Sequence, residues 1–172
     1  MKFYSLFFIF FSFYISYSQE NIEKNPISNS NGLRFNKNDF FLESGLNFQY
    51  KKSNHEFGLG FGINKSLFQN RFSPELFYVL KTNFRSPNKF NLQGLSSYHL
   101  NFYNVNRNDK EIHFFNELLA GFQFSYGDKY KVFIQQEAGI ILESFHSDFY
   151  KKVENHLAFN YSAKIGFIYY VR

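Results

Sequence analysis

The sequence predicts an all-β protein, a closed antiparallel up-and-down β-barrel with its apolar face turned outward, on three observations. Beyond Phe40, apolar residues recur at every second position over most of the chain. The positions between them hold repeated glycine and almost no threonine, since Thr82 is the single Thr of the chain. The last sixteen residues, Leu157 to Arg172, form the most regular two-faced stretch of all, although chain ends ordinarily carry little constraint.

The first element is an export signal. Lys2 supplies the positive start, Phe3 to Ile15 form a thirteen-residue apolar stretch, and Ser16-Tyr17-Ser18 is a small-x-small cleavage site. The stretch is shorter than the roughly 20 residues that a bilayer-spanning helix needs. Removing residues 1–18 from 172 leaves 154, the length of one domain, and the loss of Lys2 lowers the formal net charge from +5 to +4. With no Cys, the chain has no disulfides, no thiol chemistry and no site for N-terminal lipidation.

Phe accounts for 27 residues and Tyr for 13, yet mean hydropathy is −0.37, so the aromatics are dispersed among polar residues. Past the leader no apolar run is long enough for a helical span, and membrane insertion would have to use strands. The positive charge is scattered, as single residues or as the pairs Lys51-Lys52 and Lys151-Lys152, which argues against a nucleic-acid footprint.

Residues 19–39 are polar and Asn/Ser-rich, a tail or a weak first strand, and residues 40–172 are expected to form the barrel. Seven alternating segments follow Phe40. The first sets Leu42, Leu46, Phe48 and Tyr50 opposite Glu43, Gly45, Asn47, Gln49 and Lys51, with Ser44 as a misfit. In the second, Phe57, Leu59, Phe61 and Ile63 oppose Glu56, Gly58, Gly60, Gly62 and Asn64. The third, Pro74 to Thr82, is apolar on both faces and its register is ambiguous. The fourth opposes Phe90, Leu92, Tyr98, Leu100 and Phe102 to Asn91, Gln93, Ser97, His99 and Asn101. The fifth opposes Phe114, Leu118, Ala120, Phe122, Phe124 and Tyr126 to His113, Glu117, Gly121, Gln123 and Ser125. The sixth opposes Val132, Ile134, Ala138, Ile140 and Leu142 to Lys131, Gln135, Glu137, Gly139 and Glu143. The seventh is the terminal stretch.

Seven strands conflict with the even number expected of such barrels, and the eighth is sought in Ile27 to Asn36. Which face looks inward follows from the polar face. Interior glycine weakens a solvated strand and gains nothing there. In a narrow lumen it makes room for the Glu, Gln, Asn, Lys and His of neighbouring strands. The apolar face then meets hydrocarbon, and most segments exceed the roughly 9–11 residues that a tilted strand needs to cross. Closure would pair the last strand with the first, which explains the regular C-terminus. Glu43, Glu56, Glu75, Glu117, Glu137 and Glu143 with Lys51, Lys81, Lys131 and Lys164 are the expected luminal charges, paired into a plug.

In these features the sequence resembles the small bacterial outer-membrane β-barrels of the OmpA/OmpX-like, eight-stranded type. In that family the last strand carries an assembly signal: a polar residue, Gly two later, then hydrophobic or aromatic residues at the fifth and seventh positions after it. Lys164, Gly166, Tyr169 and Val171 match this spacing, although the chain closes on Val171-Arg172 instead of an aromatic. The resemblance implies an outer-membrane location, contact with outer-membrane lipid and lipopolysaccharide, and the barrel-assembly machinery as a partner during biogenesis. It also implies short periplasmic turns, at Lys52-Ser53-Asn54 and Gly127-Asp128-Lys129, and longer outer loops, at Asn104 to Lys110 and His146 to Asn155, that can meet an extracellular partner. Asn83 to Lys89 is long for a periplasmic turn. Tyr50, Tyr126, Tyr130 and Tyr169 should gather at one level as a girdle.

Catalytic motifs are sparse: the chain has no phosphate-binding Gly loop, HExxH, GxSxG or EF-hand, and no cofactor is expected. Ser97 and His99 share one face of one strand, and Glu111 or Glu117 in the next segment could orient the imidazole. That is the sequence basis for a lipid A-modifying enzyme, set against a non-enzymatic barrel of structural or interaction role. A soluble exported barrel or sandwich binding a lipid-like ligand is the third reading.

Overall fold

The computed structural model describes residues 27–36, 39–50, 53–64, 72–85, 89–106, 110–147 and 152–170. The export signal, residues 19–26, Lys51, Lys52 and Val171-Arg172 lie outside them. Eight strands follow one another: β1 Ser28–Asn36, β2 Asp39–Tyr50, β3 Ser53–Asn64, β4 Phe72–Arg85, β5 Phe90–Asn106, β6 Lys110–Gly127, β7 Tyr130–Ser147 and β8 Lys152–Tyr170. Each pairs antiparallel with the next, and β1 pairs with β8 from Ser28↔Tyr170 to Asn36↔Ser162, closing the barrel. The weak stretch before Phe40 is therefore the missing strand. Its only apolar residues are Leu33 and Phe35, but its backbone completes two ladders, and closure leaves no sheet edge along its length.

The side chains are sorted inside out relative to a soluble protein. Leu59, Leu157 and Phe159 on the outer face are 65, 69 and 73% exposed, whereas Glu43, Glu56, Glu75, Glu117 and Glu137 inside are at most 2% exposed. A soluble lipid-binding barrel would turn its apolar residues inward, and this wall does the reverse. Ser44 keeps the outward side of β2 between Leu42 and Leu46.

Ion pairing resolves the ambiguous segment in β4. Glu75 and Lys81 share one parity with Phe77 and Val79, and that set points inward, leaving Leu76 on the outside. A charge facing hydrocarbon costs about 2–4 kcal/mol near the midplane, more than enough to carry two apolar side chains into the lumen with it. There Phe77 and Val79 join Leu95 in a small apolar cluster. The glycines of β3 hold the space these groups use: a Cβ on Gly58, Gly60 or Gly62 would fall under 3.0 Å from Phe77 Cζ, Glu75 Oε2 or Phe41 Cε1 respectively.

Of the stretch expected as a long connection, Asn83 to Lys89, the first three residues belong to β4, which runs to Arg85, and the β4–β5 register shifts between Asn83 and Arg85. At the same end Gly127 adopts φ +133°, and its N–H donates to the Lys89 carbonyl at 3.0 Å. Lys89 meets Asp128 at 3.1 Å, and the hydrogen bond to that carboxylate holds the ammonium above the usual lysine range. Tyr50, Tyr126, Tyr130 and Tyr169 all lie toward this end of their strands, with Tyr130 opposite Tyr169.

The wall is uneven in height. β5 to β8 run 17 to 19 residues, β1 to β4 only 9 to 14. Among the described residues β8 has no β1 partner above Ser162, so Lys152 to Tyr161 rise past the rim at the end away from the termini.

Candidate functional site

At mid-height the lumen holds a knot of charge centred on Arg34. Its guanidinium reaches three carboxylates from three strands: Nε to Glu43 Oε1 at 2.5 Å, Nη2 to Glu75 Oε1 at 2.5 Å and Nη1 to Glu117 Oε2 at 2.9 Å. Arginine suits this position because its planar fork carries five N–H donors and never loses its charge. The ring of Phe41 lies 4.4 Å from its central carbon.

Lys164 links this knot to a second one. Its ammonium is 2.7 Å from Glu43 Oε2 and 3.5 Å from Glu56 Oε1. Glu56 in turn pairs with Lys81 and accepts from the Ser30 hydroxyl at 2.5 Å. Lys81 also donates to Asn47 at 3.3 Å. Glu117 accepts further bonds from Asn101 at 2.8 Å and Asn160 at 3.0 Å, and Glu137 accepts from Gln135 at 2.8 Å and Ser162 at 3.4 Å. Groups this deeply buried are expensive unless paired, and here the pairing runs from β1 around to β8.

Of the luminal charges expected from sequence, Glu43, Glu56, Glu75, Glu117, Glu137, Lys81 and Lys164 gather in this network, and Lys51 lies outside the described residues. Lys131 and Glu143 do not join it. Both have inward parity on β7, but each lies near an end of that strand, above or below the knot. Lys131 sits over the Tyr170 ring at 5.2 Å, and Glu143 accepts from His113 at 2.7 Å. Parity tells which side of the wall a residue takes, not its height. Arg34 was not anticipated, because its segment reads as a weak strand; an excess of inward Glu over Lys was the available signal that a further cation was needed.

Ser97 and His99 are enclosed in the lumen, 2 and 1% exposed. The carboxylate that binds His99 is Glu75, at 2.6 Å from Nδ1, and not Glu117, whose oxygens are taken by Arg34, Asn101 and Asn160. The Ser97 hydroxyl has no hydrogen-bond partner among the described residues, and the imidazole stacks on Phe77 with ring centres 5.7 Å apart. Ligand atoms of Glu43, Glu75 and His99 lie within 4.8 Å of one another, a spacing a cation could use. Arg34 already donates to Glu43 Oε1 and Glu75 Oε1, so the positive charge there is the guanidinium. What this arrangement does chemically is hold its charges in place by pairing them across strands.

The terminal-strand residues have structural places as well. Gly166 lies opposite Gly32, where a Cβ would come under 3.0 Å from the Asn31 carbonyl oxygen, and the Tyr169 hydroxyl accepts from Asn29 at 2.7 Å. At the raised rim, His156, Phe145 and His113 stack in a row at 5.5 and 4.5 Å, with Glu154 and Glu143 beside the two imidazoles.

No family model matches the chain, and no match is found among curated proteins. Among solved structures it is similar to a major outer membrane protein from Thermus thermophilus, at 9% identity and a TM-score of 0.50, over 87% of this chain and 100% of that one. It is similar also to the Neisserial surface protein A, at 9% identity and a TM-score of 0.52, over 88% of this chain and 100% of that one. The fold is that of outer-membrane β-barrel proteins, with transmembrane strands.

Proposed function

We propose that the protein is an exported outer-membrane β-barrel that works as a structural or surface-interaction protein, with a closed, charge-paired lumen and no catalytic role. The observation that carries this reading is the inversion of the wall, with Arg34, Lys81, Lys164 and five glutamates sealed inside and large apolar side chains outside. Eight strands enclose an interior just wide enough for side chains, and these fill it with ion pairs instead of a channel.

In this reading the end bearing both termini faces the periplasm and the raised β5–β8 rim faces outward, against lipopolysaccharide and any extracellular partner. The outer loops and the His156–Phe145–His113 row are the surfaces offered to that partner. Residues 1–18 direct export. Lys164, Gly166, Tyr169 and Val171 serve the assembly machinery. The enclosed placement of Ser97 and His99 argues against lipid A chemistry, which needs access from the membrane or the rim.

Fractionation tests the proposal. The protein is expected in the outer membrane, extractable only with detergent, and faster on a gel unheated than boiled. Recovery as a soluble periplasmic protein would overturn it. For the enzymatic alternative, the lipid A profile is expected to be the same in His99→Ala and wild-type cells.

A further inference from the structure

We propose that the cavity at the termini end of the lumen is a binding site for a small oxyanion, a phosphate or a carboxylate. A cavity of about 170 Å³ opens there below the charge knot, far above the about 10–15 Å³ that a single water needs by the same measure. Its wall includes Asn54, Lys81, Gln93, Ser125, Lys131 and Tyr170, and none of the residues that line it is acidic.

Three of these side chains are poised for a guest. Lys131, whose ammonium lies over the Tyr170 ring at 5.2 Å, pairs with no carboxylate among the described residues. Ser125 is 3% exposed, and its hydroxyl, like the Asn54 carboxamide, has no hydrogen-bond partner among them. Elsewhere in this lumen every buried cation faces a glutamate: Arg34 three, Lys164 two, and Lys81 pairs with Glu56 from the cavity's inner wall. Among the described residues the cavity thus presents one uncompensated ammonium, a hydroxyl and an amide, with no acidic side chain in its lining. That donor set binds an oxyanion by charge-assisted hydrogen bonds, and a neutral or cationic guest would leave the ammonium unmatched.

The anion has two candidate sources, the surrounding solution or the chain's own Glu20 and Glu23, which precede the cavity-lining Ser28 in the sequence. The site depends on the barrel fold alone and not on where the protein resides. The test uses the chain from Gln19 refolded in detergent micelles, with inorganic phosphate titrated at constant ionic strength and backbone amides followed by NMR. Saturable shifts are expected at Asn54, Ser125 and Lys131, and none at His113 or His156. Lys131→Gln should weaken phosphate about tenfold, the size of one lost charge-assisted bond, whereas Lys131→Arg retains binding and Lys152→Gln, at the other end, leaves it unchanged. With Glu20→Gln and Glu23→Gln together, tighter phosphate binding identifies the chain's own carboxylates as the resident anion, and unchanged binding identifies a free one. Shifts that do not saturate, or equal affinity in folded Lys131→Gln, overturn the proposal.

Discussion

Leu59 and Gly60 are adjacent in β3 and face two different solvents. Leu59 is 65% exposed on the outer wall, whereas the space beside Gly60 is filled by the carboxylate of Glu75, itself 2% exposed. On the outside each side chain gains from any apolar surroundings, so no particular neighbour is required. On the inside each charge depends on a named partner several strands away, and Glu75 answers both to Arg34 and to His99. This barrel therefore keeps its specificity in a polar interior and its tolerance on an apolar surface, the reverse of a soluble fold.

The largest loss should come from Arg34→Met, which leaves Glu43, Glu75 and Glu117 facing one another without their shared cation. Breaking a buried pair by removing one partner costs about 3–5 kcal/mol. Reversible unfolding in lipid vesicles would measure it, and a loss under about 1 kcal/mol would mean that water already screens the lumen. Next is Leu59→Arg, which sets a charge against hydrocarbon at about 2–4 kcal/mol near the midplane. An unaltered unfolding midpoint in lipid would place Leu59 outside the apolar band.

Gly60→Leu probes the inner side of the same turn of the wall. Its Cβ alone would fall under 3.0 Å from Glu75 Oε2, and crowding of this kind costs about 1–3 kcal/mol. Leu59→Ala should have the smallest effect, below about 1 kcal/mol, since lipid refills the space; a cavity in a packed core would cost about 2–5 kcal/mol. If Leu59→Ala proved costlier than Gly60→Leu in the same assay, the contrast between the two faces would fail.

Much of this was legible from residue order alone. A strand repeats every two residues, so alternation located seven strands, their inner and outer faces and, through the glycines of β3, a crowded interior. The odd count then required an eighth, sought at Ile27 to Asn36 and found as Ser28–Asn36. Alternation failed where both faces were apolar, in β4, because Phe77 and Val79 follow the ion pairs of Glu75 and Lys81 and not their own hydrophobicity.

What the sequence by itself determined was the side of the wall each residue takes, a local property of the strand backbone. Only the tertiary structure decided height and partnership. Arg34 meets Glu117 across 83 positions of chain, and Lys164 meets Glu56 across 108. Those meetings depend on the ladder registers accumulated from strand to strand and on closure between β1 and β8. No local pattern encodes that sum, which is why Lys131 and Glu143, correct in parity, lie outside the network and Arg34, in the weakest strand, stands at its centre.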